Sequence, residues 1–198
     1  MKEKTKASII REKIFSFAET MIISLFSVTL VFVFLLRVTT ITGISMAETL
    51  SEGDRVIMTA WYGTPKQGDV VVINAEHAVT MNDSGELVVS KGINKYIVKR
   101  IIAVPRQKVD FDFHKGTVYI DDKVYDEPYI TGLTHLDEGA FTGHYPLTVP
   151  DGYVFVMGDN RRDSQDSRSY RIGLIPEEDI VGKILMRVYP LKDLGLID

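Results

Sequence analysis

The chain has 198 residues, 45% of them hydrophobic and 25% charged, with no cysteine and a formal net charge of -4. That length and balance suit about one packed domain and exclude intrinsic disorder and a disulfide-stapled scaffold. Five of the 23 bases and three of the 27 acids precede Arg37, leaving 18 against 24 from there on, so the body is acidic and lacks the basic stripe that nucleic-acid binding requires.

The first element is apolar. Residues 14–36 carry one charge, Glu19, in a run that contains "MIISLFSVTLVFVFLL". Roughly 20 apolar residues at about 1.5 Å each cross a hydrocarbon core, and this run reaches that length with Glu19 toward the headgroups. A buried core helix and a cleaved signal peptide are the competing readings. The run is longer than a usual signal-peptide apolar region, and no clear A-x-A site follows it. Lys2, Lys4, Lys6, Arg11 and Lys13 precede it, whereas Arg37 and Arg55 are the first bases after it. The positive-inside rule therefore gives a cytoplasmic basic tail (1–13), an uncleaved transmembrane anchor (14–36) and an extracytoplasmic body (37–198).

Just past the run, "ITGISMAETL" offers Ser45 between a glycine turn and a methionine. Farther on, the apolar pattern has a period of two or comes in short bursts, as strands do. Such segments are 69–73, 86–90, 96–104, 108–113 and 117–120, and Asp121-Asp122 reads as a tight hairpin turn. Pro150-Asp151-Gly152 turns into "YVFVMGD", and 183–189 reads as a last strand. Residues 125–145 have little periodicity and are expected to be a long surface excursion. The body is thus mainly β.

A serine hydroxyl attacks an amide only if a base takes its proton. The four histidines, 77, 114, 135 and 144, lie in polar contexts with no partnering pattern. Lysine is the other choice, once desolvation has lowered its pKa enough to free the lone pair. Lys99 sits in "YIVKRIIAV", among apolar neighbours where lysine is uncommon. Holding it about two to three pH units below its reference costs about 3 to 4 kcal/mol, more than a structural position usually tolerates. The bland alternative points Lys99 outward from an edge strand. The loop "GDNRRDSQDSR", 158–168, adds Ser164 as a hydroxyl able to orient the amine, with Asp166 and Arg168 close enough to pair and stiffen the loop.

With these stretches in hand, the chain resembles the bacterial type I signal peptidases, membrane-anchored Ser/Lys proteases that remove signal peptides from exported precursors. "GISMAETL" is similar to the family's nucleophile box, "GDVVVI" (68–73) to its GDxVV strand, "YIVKRIIAVP" (96–105) to its lysine box, and 158–168 to its final GDNRxxSxDSR box. The resemblance implies a signal-peptidase/LexA-like β-fold catalytic domain behind one N-terminal transmembrane helix. It makes Ser45 the nucleophile, Lys99 the general base and Ser164 the lysine-orienting group, with no metal or cofactor. The Ser45 N–H becomes one oxyanion donor. The second is unidentified, because Gly43 stands where some members have serine, as in Gram-positive relatives.

The implied partners are signal peptides and membrane lipid, not nucleic acid. Ile41, Met46, Leu50, Ile97 and Val98 match positions that wall shallow apolar pockets, which implies alanine at the residue before the cut and two earlier. A peptide is expected to add as a strand beside "ITGIS" and "GDVVVI". Two departures stand out: Glu48 replaces the family's usual proline, and Arg106-Gln107 replaces Gly-Asp after the lysine box. They leave two rivals open, a membrane-tethered pseudo-peptidase that binds without cutting and a Ser/Lys peptidase with another client.

Overall fold

The computed structural model describes residues 6–47, 49–60 and 63–197. Residues 1–5 of the basic tail and Glu48 therefore lie outside the described residues. The chain divides into two compact units, Met1–Arg37 and Val38–Asp198.

The first unit is one helix, α1 (Lys6–Phe34). Its most apolar part, Ile10–Leu30, is 21 residues long, about 32 Å of rise and comparable to a hydrocarbon core. Large apolar side chains such as Phe15, Phe17, Ile22 and Leu25 are exposed along it. Two of its hydroxyls donate inside the helix, Thr20 Oγ1 to Ser16 O at 2.9 Å and Thr29 Oγ1 to Leu25 O at 2.8 Å. The helix begins before residue 14 and stops at Phe34, and Leu36 already belongs to a strand.

Among the described residues fourteen short strands follow, all but the start of the first within the second unit. The first eight are β1 (Leu36–Thr40), β2 (Arg55–Thr59), β3 (Val70–Asn74), β4 (His77–Met81), β5 (Leu87–Lys91), β6 (Tyr96–Ala103), β7 (Lys108–Asp112) and β8 (Thr117–Ile120). Then follow β9 (Lys123–Val124), β10 (Leu147–Thr148), β11 (Tyr153–Met157), β12 (Ile175–Pro176), β13 (Ile180–Tyr189) and β14 (Gly195–Leu196). The main sheet runs β1-β2-β13-β3-β6-β11-β12, with β14 also on β13; β10-β7-β8-β9 form a second sheet and β4-β5 a ribbon.

Burial follows from this order. β3 lies between β13 and β6, which pair both of its edges, and core clusters cover both of its faces, so "VVVI" is apolar throughout. Its side chains alternate: Val70 and Val72 join Ile41, Met46, Leu50, Val56 and Ile184 in one cluster, while Val71 and Ile73 join Ile101, Val154, Val156 and Ile172 in another. A third cluster, with Ile102, Val109, Val118, Phe141, Leu147 and Phe155, links the second sheet to the first.

The mainly β architecture with one N-terminal apolar helix agrees with the sequence reading. Asp121 and Asp122 both adopt positive φ, +51° and +64°, as the tight β8–β9 hairpin needs. One expectation gains detail and one needs correction. The segment 125–145 runs largely over the surface but is pinned at points, where Thr134, Ala140 and Phe141 are buried and the Phe141 ring packs 6.2 Å from that of Phe155. It lacks periodicity because single side chains anchor it instead of a strand face. The strand over 183–189 is longer, β13, and is not the last, since β14 folds back onto it.

Candidate active site

Ser45 lies in a turn opened by Gly43, whose φ of +87° is open to glycine at little cost. Inside the turn Ala47 N–H donates to Ile44 O at 3.1 Å, and just beyond it Leu50 N–H donates to Met46 O at 2.7 Å. Met46 and Leu50 are buried and root the turn in the core. Lys99 is on β6, opposite Val71 of β3, and only 3% exposed. Its Nζ lies 2.7 Å from Ser45 Oγ, bringing together residues 54 apart in sequence.

Burial lowers the Lys99 pKa from 10.5 to about 8. The Arg168 cation pushes the same way, whereas Asp166, Asp159 and Glu138 oppose it. The amine is thus substantially neutral at mildly alkaline pH, and it faces a hydroxyl.

The 158–168 loop reaches this pair from β11. Gly158 must be small: a Cβ there would stand 2.2 Å from Ser164 Oγ and 2.5 Å from Ser45 O. Ser164 is 6% exposed, and its Oγ has no hydrogen-bond partner among the described residues, so the expected bond to the Lys99 amine is not formed. Asp166 and Arg168 form a two-point ion pair, Nε to Oδ1 and Nη2 to Oδ2 both at 2.9 Å, fully buried. Burial alone would raise the Asp166 carboxyl, but Arg168 and the Gly158 N–H (3.1 Å) outweigh it and hold the group below the usual carboxylate range.

Two further buried pairs escaped the sequence reading. Arg100, beside the lysine, grips Asp159 at 2.9 and 2.8 Å and lies 3.9 Å from the centre of the Tyr129 ring. Asp159 also accepts from Thr49 Oγ1 at 2.5 Å, tying loop to turn. Arg161 pairs with Glu127 and donates to Thr134 Oγ1 at 2.8 Å. The only sequence signal was an arginine inside an apolar strand and three in one loop; nothing in the spacing names their partners.

A cleft of about 290 Å³ opens beside the Ser45–Lys99 pair, walled by Thr39–Gly43 on one side and Tyr96–Lys99 on the other, with Met46 and Val72. Ile41, Met46, Ile97 and Val98 line it. Leu50 does not: it is wholly buried in the core, where it supports the turn. The expected strand addition beside "GDVVVI" also fails, because both edges of β3 are taken by β13 and β6. On the other side of β6, pairing with β11 begins only at Arg100, so Tyr96–Lys99 keep an edge with no strand beside it among the described residues.

Arg106 adopts a left-handed φ of +71°, the conformation that the family's glycine takes more easily. Gln107 Oε1 accepts the Val104 N–H at 3.0 Å and closes the turn.

A buried amine against a serine hydroxyl, at the end of an open strand edge, has the parts for amide hydrolysis without histidine. Comparison with known proteins supplies the class. The model of the family described as signal peptidase, peptidase S26, matches residues 14–189. Signal peptidase IB of Staphylococcus aureus is 34% identical over 169 residues, 78% of each chain. The probable signal peptidase I-1 of a Synechocystis strain is 33% identical over 154 residues, 76% of this chain and 70% of that one. A solved signal peptidase I from Enterococcus faecalis aligns with a TM-score of 0.43 and 21% identity, over 62% of this chain and 98% of its own. The class is serine endopeptidase, a hydrolase of peptide bonds. The chain belongs to the bacterial type I signal peptidases, the peptidase S26 family.

Proposed function

We propose that this chain is a membrane-anchored endopeptidase that removes N-terminal signal peptides from exported precursors, with Ser45 as nucleophile and Lys99 as general base. The observation that carries the reading is the 2.7 Å approach of a desolvated amine to a serine hydroxyl. Neutral Lys99 takes the Ser45 proton as Oγ attacks the carbonyl carbon. The resulting ammonium then protonates the departing amine, leaving an acyl-enzyme that water, deprotonated by the same lysine, hydrolyses. The Ser45 N–H stabilises the oxyanion.

The precursor lies extended in the cleft between Thr39–Gly43 and Tyr96–Val98, where backbone pairing supplies affinity. Ile41, Met46, Ile97 and Val98 restrict the residues before the cut, which favours alanine at the last and third-last positions of the signal peptide. Ser164 would orient the lysine after a rotation of its unpartnered hydroxyl, and Asp166 with Arg168 stiffens the loop. Residues 14–36 form the anchor, with 1–13 cytoplasmic, 37–198 outside and lipid as the second partner.

Purified full-length protein is mixed with a precursor and compared with Ser45→Ala and Lys99→Met. The parent is expected to release the signal peptide and both variants to lose the activity by several orders of magnitude. Equal cleavage by all three removes the dyad, and none by the parent favours a pseudo-peptidase.

A further inference from the structure

The reaction needs more of Ser45 than its hydroxyl. Its N–H must face the oxygen on which charge develops, so the peptide between Ile44 and Ser45 has to be held in one orientation. The turn itself supplies one restraint, the Ala47 N–H on Ile44 O at 3.1 Å. A second comes from the 158–168 loop. Asn160 Nδ2 donates to Ile44 O at 3.2 Å, and Asn160 N–H donates to Ser45 O at 3.0 Å. One residue therefore grips the carbonyls of both peptide groups that flank the nucleophile.

In a trans peptide the N–H points opposite to the C=O. With Ile44 O turned toward the Asn160 amide, the Ser45 N–H is turned away from that loop. It donates to no group among the described residues, and Ser45 lines the cleft. Resting on the Ser45–Lys99 reading above, we propose that Asn160 is a positioning residue of the oxyanion hole: its side-chain amide fixes the Ile44–Ser45 peptide so that the Ser45 N–H stays aimed at the scissile carbonyl oxygen.

The side chain can be changed without losing the loop. The backbone at 159–161 is held by Thr131, whose N–H donates to Asp159 O at 3.0 Å and whose O accepts the Arg161 N–H at 3.2 Å. Asp159 is separately fixed by Arg100. Asn160→Ala removes only the amide clamp, and Asn160→Asp keeps the size but sets a carboxylate against Ile44 O.

The test uses the full chain and a precursor, together with a peptide boronate whose boron adds to Ser45 Oγ as a tetrahedral anion. Both variants are expected to lose kcat by on the order of tenfold to hundredfold, short of the loss of a complete oxyanion donor. KM stays within about twofold, since the clamp acts on the transition state. Boronate affinity falls by the same factor as kcat/KM, and the rising limb of the pH profile keeps its position because Lys99 is untouched. Unchanged kcat, a loss confined to KM, undiminished boronate affinity or a displaced pH limb would each overturn the assignment. Its failure is distinct from that of the dyad, which falls if cleavage survives Ser45→Ala or Lys99→Met.

Discussion

Lys99 carries opposite demands of stability and reactivity. Its amine titrates near 8 because water is excluded, and only the neutral form can take the Ser45 proton. Activity should therefore rise with pH through about 8 on one ionisation, as read from kcat/KM between pH 6 and 10; a flat profile contradicts the base assignment. The same burial costs stability. Below pH 8 the unfolded and folded lysines are both charged, and the folded one lacks hydration, a penalty of about 3 kcal/mol for this displacement. Between about 8 and 10.5 the unfolded state binds more protons, so the penalty fades as pH rises. Lys99→Met should be inactive yet more stable at pH 7 by up to about 3 kcal/mol in urea unfolding, an exchange of stability for function. Lys99 was legible because a lysine in an apolar strand violates a local rule, whereas Ser45, an ordinary turn residue, stood out only through the boxes that accompany it. Arg100–Asp159 was not legible, since an ion pair across 59 positions leaves no trace in spacing.

Among the elements, the strands with apolar alternation were the readable ones, β3, β5, β6, β7 and β8 among them. β1, β2 and β4 carry threonines, arginine and histidine that blur the pattern, and their place is decided by pairing across the sheet. Segment 125–145 shows why such regions escape: it is fixed by isolated anchors. Glu127 pairs with Arg161, Thr131 brackets 159–161, and Ala140 N–H donates to Arg168 O at 2.9 Å. The segment is thus a brace behind the 158–168 loop. Glu127→Gln leaves the buried Arg161 guanidinium without its counter-charge, and breaking such a pair costs about 3 to 5 kcal/mol. Retained hydrogen bonding puts the expected loss at the lower end, about 3 kcal/mol in chemical unfolding. At a temperature where the variant is folded, its pH profile should match the parent. Stability within about 0.5 kcal/mol of the parent would show that the brace carries no load.

At the scale of the whole molecule, class and order of parts were visible in the sequence, whereas the sheet order was not. β13 inserts between β2 and β3, joining strands more than 100 residues apart, and no local pattern encodes that crossing. The arrangement has a consequence for the anchor. All three core clusters consist of residues beyond Arg37, so the body closes its own interior without α1. A chain of residues 36–198 should then fold and cut a short soluble peptide with the parent's kcat/KM, because nothing that lines the cleft is missing. On a precursor held in a lipid vesicle the two should part company. An anchor confines enzyme and substrate to one surface and replaces a bulk encounter by an effective concentration that reaches millimolar for short connections. At micromolar enzyme the shortened chain should cleave the vesicle-held precursor on the order of a hundredfold more slowly than the full chain, with the gap closing in detergent, where the shared surface is gone. Equal rates on vesicles would mean that the helix contributes no confinement, and a matching loss on the soluble peptide would mean that it supports the catalytic body directly.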